Sequence, residues 1–149
     1  MTLFFPDVNV WIALSVRDHV HSAAAWQWLG ALTSDSRLIF SRYTQLGLLR
    51  LMTNTTVAGP HALTVAEAWR LYDRWLEDSR VEFYPEPRGL EALFRAATAP
   101  FGAQRATKAM GDCLLLASSQ GLGSSLATFD RALFALAHQL EFPAVCLGG

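Results

Sequence analysis

The chain alternates short apolar runs with longer amphipathic stretches. Five runs, "LFF" at 3–5, "LIF" at 38–40, "VEFY" at 81–84, "SLAT" at 125–128 and "AVCL" at 144–147, are brief and rich in aromatic or β-branched residues. That is the pattern of short buried strands. Helical periods fill the intervals. "DHVHSAAAWQWLGAL" starts with Asp18 as a predicted cap and is rich in helix-forming alanine. "TVAEAWRLYDRWLEDS" carries a capping box, Thr64 to Glu67, and sets Ala68, Leu71 and Trp75 on one face. "ATKAMGDCLLLASSQGLG" runs into glycines of the kind found just past a helix C-terminus. Strands that alternate with helices predict a parallel sheet covered on both faces, an α/β architecture.

Composition narrows the class. At 149 residues the chain suits one domain with one substantial core, and 52% apolar against 17% charged residues excludes a disordered chain. No apolar run is long enough to span a bilayer, and the first residues lack the basic flank and cleavage site of a signal peptide. Cys113 and Cys146 sit among apolar residues without metal-ligand spacing. Reduced, buried thiols in a cytoplasmic protein are the expectation. A formal net charge of −1 provides no general basic field. A polyanion would therefore be met by a local patch.

Three acids stand where ligands bind in such folds. In open α/β sheets that place is the carboxyl ends of the strands, near the point where strand order reverses. Asp7 follows the first apolar run and Asp130 the fourth, each just before a helix. Asp112 lies near the predicted start of the "GDCLLLASS" helix. Taken singly, each is explained as a helix cap or a partner of the helix dipole. If the two strands are neighbours and the Asp112 helix packs beside them, the three converge. Two such charges about 4 Å apart repel by roughly 4 kcal/mol at an effective dielectric near 20. A divalent cation relieves that repulsion. Mg²⁺ and Mn²⁺ suit an all-oxygen set of this kind, and the chemistry implied is metal-assisted attack of water on a phosphodiester.

"PDVNVWIAL", "SRYTQLGLLRLMTN", "GDCLLLASSQGLG" and "LATFDRAL" resemble, in order and spacing, the PIN-domain ribonucleases of the VapC toxin type. "DHVHSAAAWQWL" and "LTVAEAWRLYDRWL" extend the resemblance over nearly the whole chain. The resemblance implies one PIN domain over residues 1–149, a three-layer α/β/α sandwich with a central parallel sheet. It further implies an endoribonuclease with an acidic Mg²⁺ or Mn²⁺ pocket acting on structured RNA such as tRNA or rRNA. Homodimerisation and silencing by a cognate VapB-type antitoxin are also implied. By position, Asp7 and Asp112 match the principal metal ligands and Asp130 the later acid. Asn9 matches a residue that orients the first carboxylate, and Thr128 a polar neighbour of the metal. One position departs from the family. Where PIN domains commonly carry a glutamate on the helix after the second strand, this chain has Gln45. A carboxamide can hold a metal-bound water but brings no charge. A one-metal, slowed enzyme is the expectation.

RNA contacts are sought among the cations. Arg105, Lys108 and Asp112 are three and four residues apart and share a face if their helix extends back to Arg105. Arg42 and Arg50 flank Gln45, and Arg50 is the stronger candidate as a lone cation in an apolar stretch. Trp26, Trp28, Trp69 and Trp75 are assigned to the core or a dimer face rather than to base stacking. His19 and His21 have no third ligand nearby for zinc. Two other classes stay open: an impaired PIN domain that binds RNA or antitoxin as a regulatory module, and a phosphoacceptor or phosphatase domain with Asp7 as the acceptor. Asn9 argues against a phosphatase, which wants a second acid at that spacing.

Overall fold

A computed structural model describes residues 1–148. Five strands, β1 (Leu3–Pro6), β2 (Arg37–Phe40), β3 (Val81–Phe83), β4 (Ser125–Thr128) and β5 (Ala144–Cys146), fall on the five apolar runs. They pair in parallel in the order β3-β2-β1-β4-β5. Among the described residues eight α-helices connect them: α1 (Val8–Ser15), α2 (Ser22–Ala31), α3 (Arg42–Met52), α4 (Thr55–Ala58), α5 (Val65–Leu76), α6 (Leu90–Thr98), α7 (Thr107–Gly121) and α8 (Arg131–Gln139).

Alternation along the strands assigns the helices to two layers, because successive side chains leave opposite faces of a strand. Leu38, Phe40 and Ala127 join a core built with Val10, Trp11 and Ile12 of α1, Leu29 of α2, Leu48 of α3 and Tyr72 of α5. Phe5, Ile39 and Leu126 point the other way, into a core with Leu115 and Leu116 of α7 and Leu133 of α8. The result is the expected α/β/α sandwich. Strand order reverses between β1 and β4, so the open crevice lies where these two neighbours end.

Helix ends follow the chemistry of their caps. Thr64 and Glu67 close their capping box on α5, and Ser41 closes a second with Thr44 on α3. Gly123, just beyond α7, takes φ +66, a left-handed turn that glycine adopts without a Cβ clash. Asp18 does not cap α2, which begins only at Ser22. A turn intervenes, with the His19 N–H donating to Val16 and that of Ser22 to His19. Asp18 instead pairs with His61 at 2.8 Å. The tryptophans divide. Trp28 and Trp75 pack on the core, whereas Trp26 and Trp69 are about half exposed (50% and 44%). Both cysteines are free; Cys113 is buried, but Cys146 only partly so.

Candidate active site

One cavity, about 620 Å³ in volume, opens at the carboxyl ends of β1 and β4 and holds Asp7, Asp112 and Asp130 together. The first and last come from strand-to-helix junctions, and each proves to be a helix cap as well. Asp7 Oδ1 accepts the Val8 N–H of α1 at 2.7 Å, and Asp130 Oδ1 accepts the Ala132 and Leu133 N–H groups of α8 at 2.9 and 3.1 Å. Capping uses Oδ1 in each case. The other oxygen faces the site: Asp7 Oδ2 accepts from Thr128, and Asp130 Oδ2 from Lys108. Asp112 arrives from the second turn of α7, further from the helix start than expected and beyond the reach of the helix dipole.

Thr128, fully buried at the end of β4, joins these parts. Its hydroxyl donates to Asp7 Oδ2 at 2.9 Å and accepts from the Asp130 N–H at 3.0 Å and from Asn9 Nδ2 at 3.3 Å. One donor and two lone pairs are thereby all in use. Asn9 in turn accepts the Phe129 N–H at 3.3 Å. It therefore orients Asp7 through Thr128, not by direct contact. Thr128→Val removes the proton donated to a buried carboxylate and leaves two donors unmet, a loss of about 1–3 kcal/mol. Thr128→Val should melt lower and bind Mn²⁺ more weakly in calorimetry, and Thr128→Ser should restore both.

Electrostatics differ among the acids. Burial pushes the Asp7 carboxyl above its ordinary 3.8; hydrogen bonds from Thr128 and Val8 oppose this, and the charges of Asp130 and Asp112 add to it. For Asp130, burial acts upward but is outweighed by the Leu133 N–H, the Lys108 ammonium and the Ala132 N–H, which hold it below the ordinary value. Lys108 Nζ lies between Asp112 Oδ2 at 2.8 Å and Asp130 Oδ2 at 3.1 Å. The bond to Asp112, then that to Asp130, raises the pKa of the ammonium against the opposing effect of burial.

Among the described residues, no group of three or more His, Cys, Asp or Glu side chains is arranged to hold a metal ion by itself. The donor set nevertheless suits Mg²⁺ or Mn²⁺: every candidate ligand is a carboxylate oxygen, and Mg²⁺ takes one or two of these and keeps its waters.

Several predicted residues lie elsewhere. Gln45 does not line the cavity. It sits two residues beyond Tyr43, about half a turn round α3 from the wall that Tyr43, Leu46, Gly47 and Arg50 form, and its Oε1 accepts from Arg42 at 2.7 Å. Arg42 itself lies over the Phe83 ring, 4.6 Å from its centre. Gln45→Glu is therefore expected to leave Mn²⁺ affinity within about twofold of wild type in calorimetric titration, since a charge there faces Arg42. Arg105 also misses the cavity. Helix α7 begins only at Thr107, so Arg105 precedes it and does not share the face of Lys108 and Asp112. Arg50 does line the cavity. Tyr43, Leu46, Gly47, Asn54 and Thr107 were not anticipated. Tyr43, Leu46, Gly47 and Arg50 are spaced as one stripe of α3, a signal present in the sequence, whereas Asn54 lies beyond that helix and caps α4. Gly47 has a steric reason to lack a side chain, since a Cβ there would come within 2.5 Å of Val8 Cγ2.

Fold, switch-point cavity and convergent acids define a class, and residues 4–139 match the PIN domain: the chain belongs to the PIN-domain family, in its VapC-type ribonuclease branch. It is 39% identical over 132 residues to Ribonuclease VapC41 of Mycobacterium tuberculosis (strain H37Rv), covering 85% of this chain and 88% of that protein. Solved structures share the fold at low identity. VapBC2 from Rickettsia felis, bound to a promoter DNA fragment, superposes with TM-score 0.71 at 10% identity over 98% of this chain and 99% of that one. VapBC-1 from nontypeable Haemophilus influenzae gives 0.68 at 14% over 97% and 98%. Mycobacterium tuberculosis VapC20, described as a sarcin-ricin loop cleaving toxin, gives 0.64 at 14% over 89% and 93%.

Proposed function

We propose that this chain is a divalent-metal-dependent endoribonuclease, the toxin of a toxin–antitoxin pair, hydrolysing structured RNA such as tRNA or rRNA. The observation that carries the reading is the meeting of Asp7, Asp112 and Asp130, from three separated segments, in one cavity that also presents Arg50 and Lys108. Asp7 and Asp112 would hold Mg²⁺ or Mn²⁺, with Asp130 acting on it directly or through a water. Such an ion would polarise the phosphate and acidify a water at neutral pH. Thr128 and Asn9 keep the Asp7 carboxylate aimed, and Arg50 meets the phosphate backbone with a fixed positive charge. Leu46, Leu51 and Leu115 add apolar surface to a wall that Tyr43, Asn54 and Thr107 keep partly polar.

A VapB-type antitoxin, a homodimer and a cytoplasmic setting complete the proposal. Support comes from the complexes named above and from half-exposed Trp26 and Trp69. No helix among the described residues is long and apolar enough to cross a membrane. A second reading, the impaired module that binds RNA or antitoxin, draws on the α3 wall, where Tyr43, Leu46, Gly47 and Arg50 supply no acid. Incubating total bacterial RNA with the purified chain in Mg²⁺, Mn²⁺ or EDTA separates the two. Discrete fragments that need metal and vanish in Asp112→Asn support the nuclease; intact RNA with a folded, metal-binding protein favours the module.

A further inference from the structure

Lys108 occupies the place in the acidic cluster where a second cation would compete with a metal. Its ammonium reaches Asp112 from one helical turn earlier on α7, and Asp130 across a gap of 22 residues in sequence. Both bonds go to Oδ2, and for Asp130 this is the oxygen that the helix cap leaves free. Asp7 is held differently, by the Val8 N–H and the Thr128 hydroxyl. The cluster is thus divided into one acid fixed by neutral donors and two bridged by a side-chain cation.

That bridge can open. The Lys108 side chain is 67% exposed, against 19% and 29% for its two partners. Exposed ion pairs of this kind are weak, and the flexible four-carbon stem has somewhere to go. Beside the bridge, Phe101, Ala109, Ala132 and Leu136 line a second, largely apolar groove that Lys108 also borders. A methylene stem lies well on such a surface with its charge in water. Mg²⁺ and Mn²⁺ seek the same hard carboxylate oxygens that the ammonium now holds, and two cations cannot share one oxygen pair without strong repulsion.

We infer that Lys108 is an internal counter-ion which pre-positions the Asp112 and Asp130 carboxylates and is displaced from them when a divalent cation binds. Metal binding then frees the ammonium at the cavity rim. The inference rests on the metal-dependent reading above. In that reading Lys108 is a positioning residue, acting through the two acids.

Two measurements on the full chain test it without reference to cleavage. In calorimetric titration with Mn²⁺ alone, Lys108→Met should bind about threefold more tightly than wild type, and Lys108→Arg close to wild type. In NMR, the Lys108 side-chain ammonium signal should be protected in EDTA, while it is bonded between two carboxylates, and be lost to solvent exchange as Mg²⁺ is added. Unchanged affinity in Lys108→Met, or a signal that persists in saturating Mg²⁺, overturns the counter-ion role and leaves the nuclease reading intact. A wild-type chain that binds neither ion removes both.

Discussion

Asp7→Asn is expected to reduce metal-dependent RNA cleavage by about a thousandfold, some 4 kcal/mol of transition-state stabilisation, without unfolding the protein. Asparagine can keep the cap on α1, because its side-chain oxygen still accepts the Val8 N–H. It cannot supply an anionic ligand. A second consequence concerns pH. Burial raises the Asp7 carboxyl, so in EDTA the folded chain holds this proton to higher pH than the unfolded chain does. Stability falls with rising pH wherever the folded state binds the extra proton. The loss begins near the ordinary value of 3.8 and is complete above the raised one. The asparagine variant has no such proton. Melting in EDTA from about pH 4 to about pH 7 should therefore shift in favour of the variant, and saturating Mg²⁺ should reverse the shift. A wild-type chain that gains on the variant over this range would show that Asp7 is not strained by burial. Such a trade of stability for activity is expected of an acid kept at a site.

Trp11→Ala carries the largest expected effect on folding, about 3–5 kcal/mol, a large part of the 5–15 kcal/mol typical of a domain. The indole is fully buried, stacked on Phe40 with ring centres 4.0 Å apart and edge-on to Trp75 at 5.4 Å. It pins α1, the helix that carries Asn9 and is capped by Asp7, so its loss should loosen the site as well as the core. Trp11 Nε1 has no hydrogen-bond partner among the described residues. Trp11→Phe gives up volume but also removes that unmet donor, whose burial costs about 1–3 kcal/mol, and should cost under about 2 kcal/mol. Urea denaturation of the two variants checks the order. A phenylalanine variant as unstable as the alanine one would mean that shape, rather than the unpaired N–H, dominates there.

The residues whose roles were legible beforehand are those whose local and distant duties agree. Asp7 and Asp130 sit at strand ends, where any carboxylate caps the next helix, and strand order brings the same two junctions together. Reading them as caps holds, with Oδ1 of each accepting from the helix that follows, and the ligand role assigned to them belongs to the proposal. Thr128 was expected near the metal but not as the hub linking Asn9, Asp130 and Asp7, because a hydroxyl's three partners lie up to 121 residues away in sequence. Gln45 illustrates the opposite case. Alignment with a family position is a statement about order along the chain, whereas facing a cavity depends on helical phase, and two residues along α3 turn a side chain nearly to the far side. Arg105 fails for a related reason: its spacing to Asp112 carries meaning only inside a helix, and α7 starts two residues too late.

By itself, then, the sequence determined the strands, the parallel layered architecture and the three acids, because period-two and period-3.6 apolar patterns and cap chemistry act over a few residues and depend little on the rest of the chain. The tertiary structure alone decided which partner each carboxylate oxygen takes, that Asn9 works through Thr128, that Gln45 is spent on Arg42, and that Lys108 bridges Asp112 and Asp130. Those outcomes turn on distances of about 3 Å between segments far apart in sequence, which packing sets and no local pattern records.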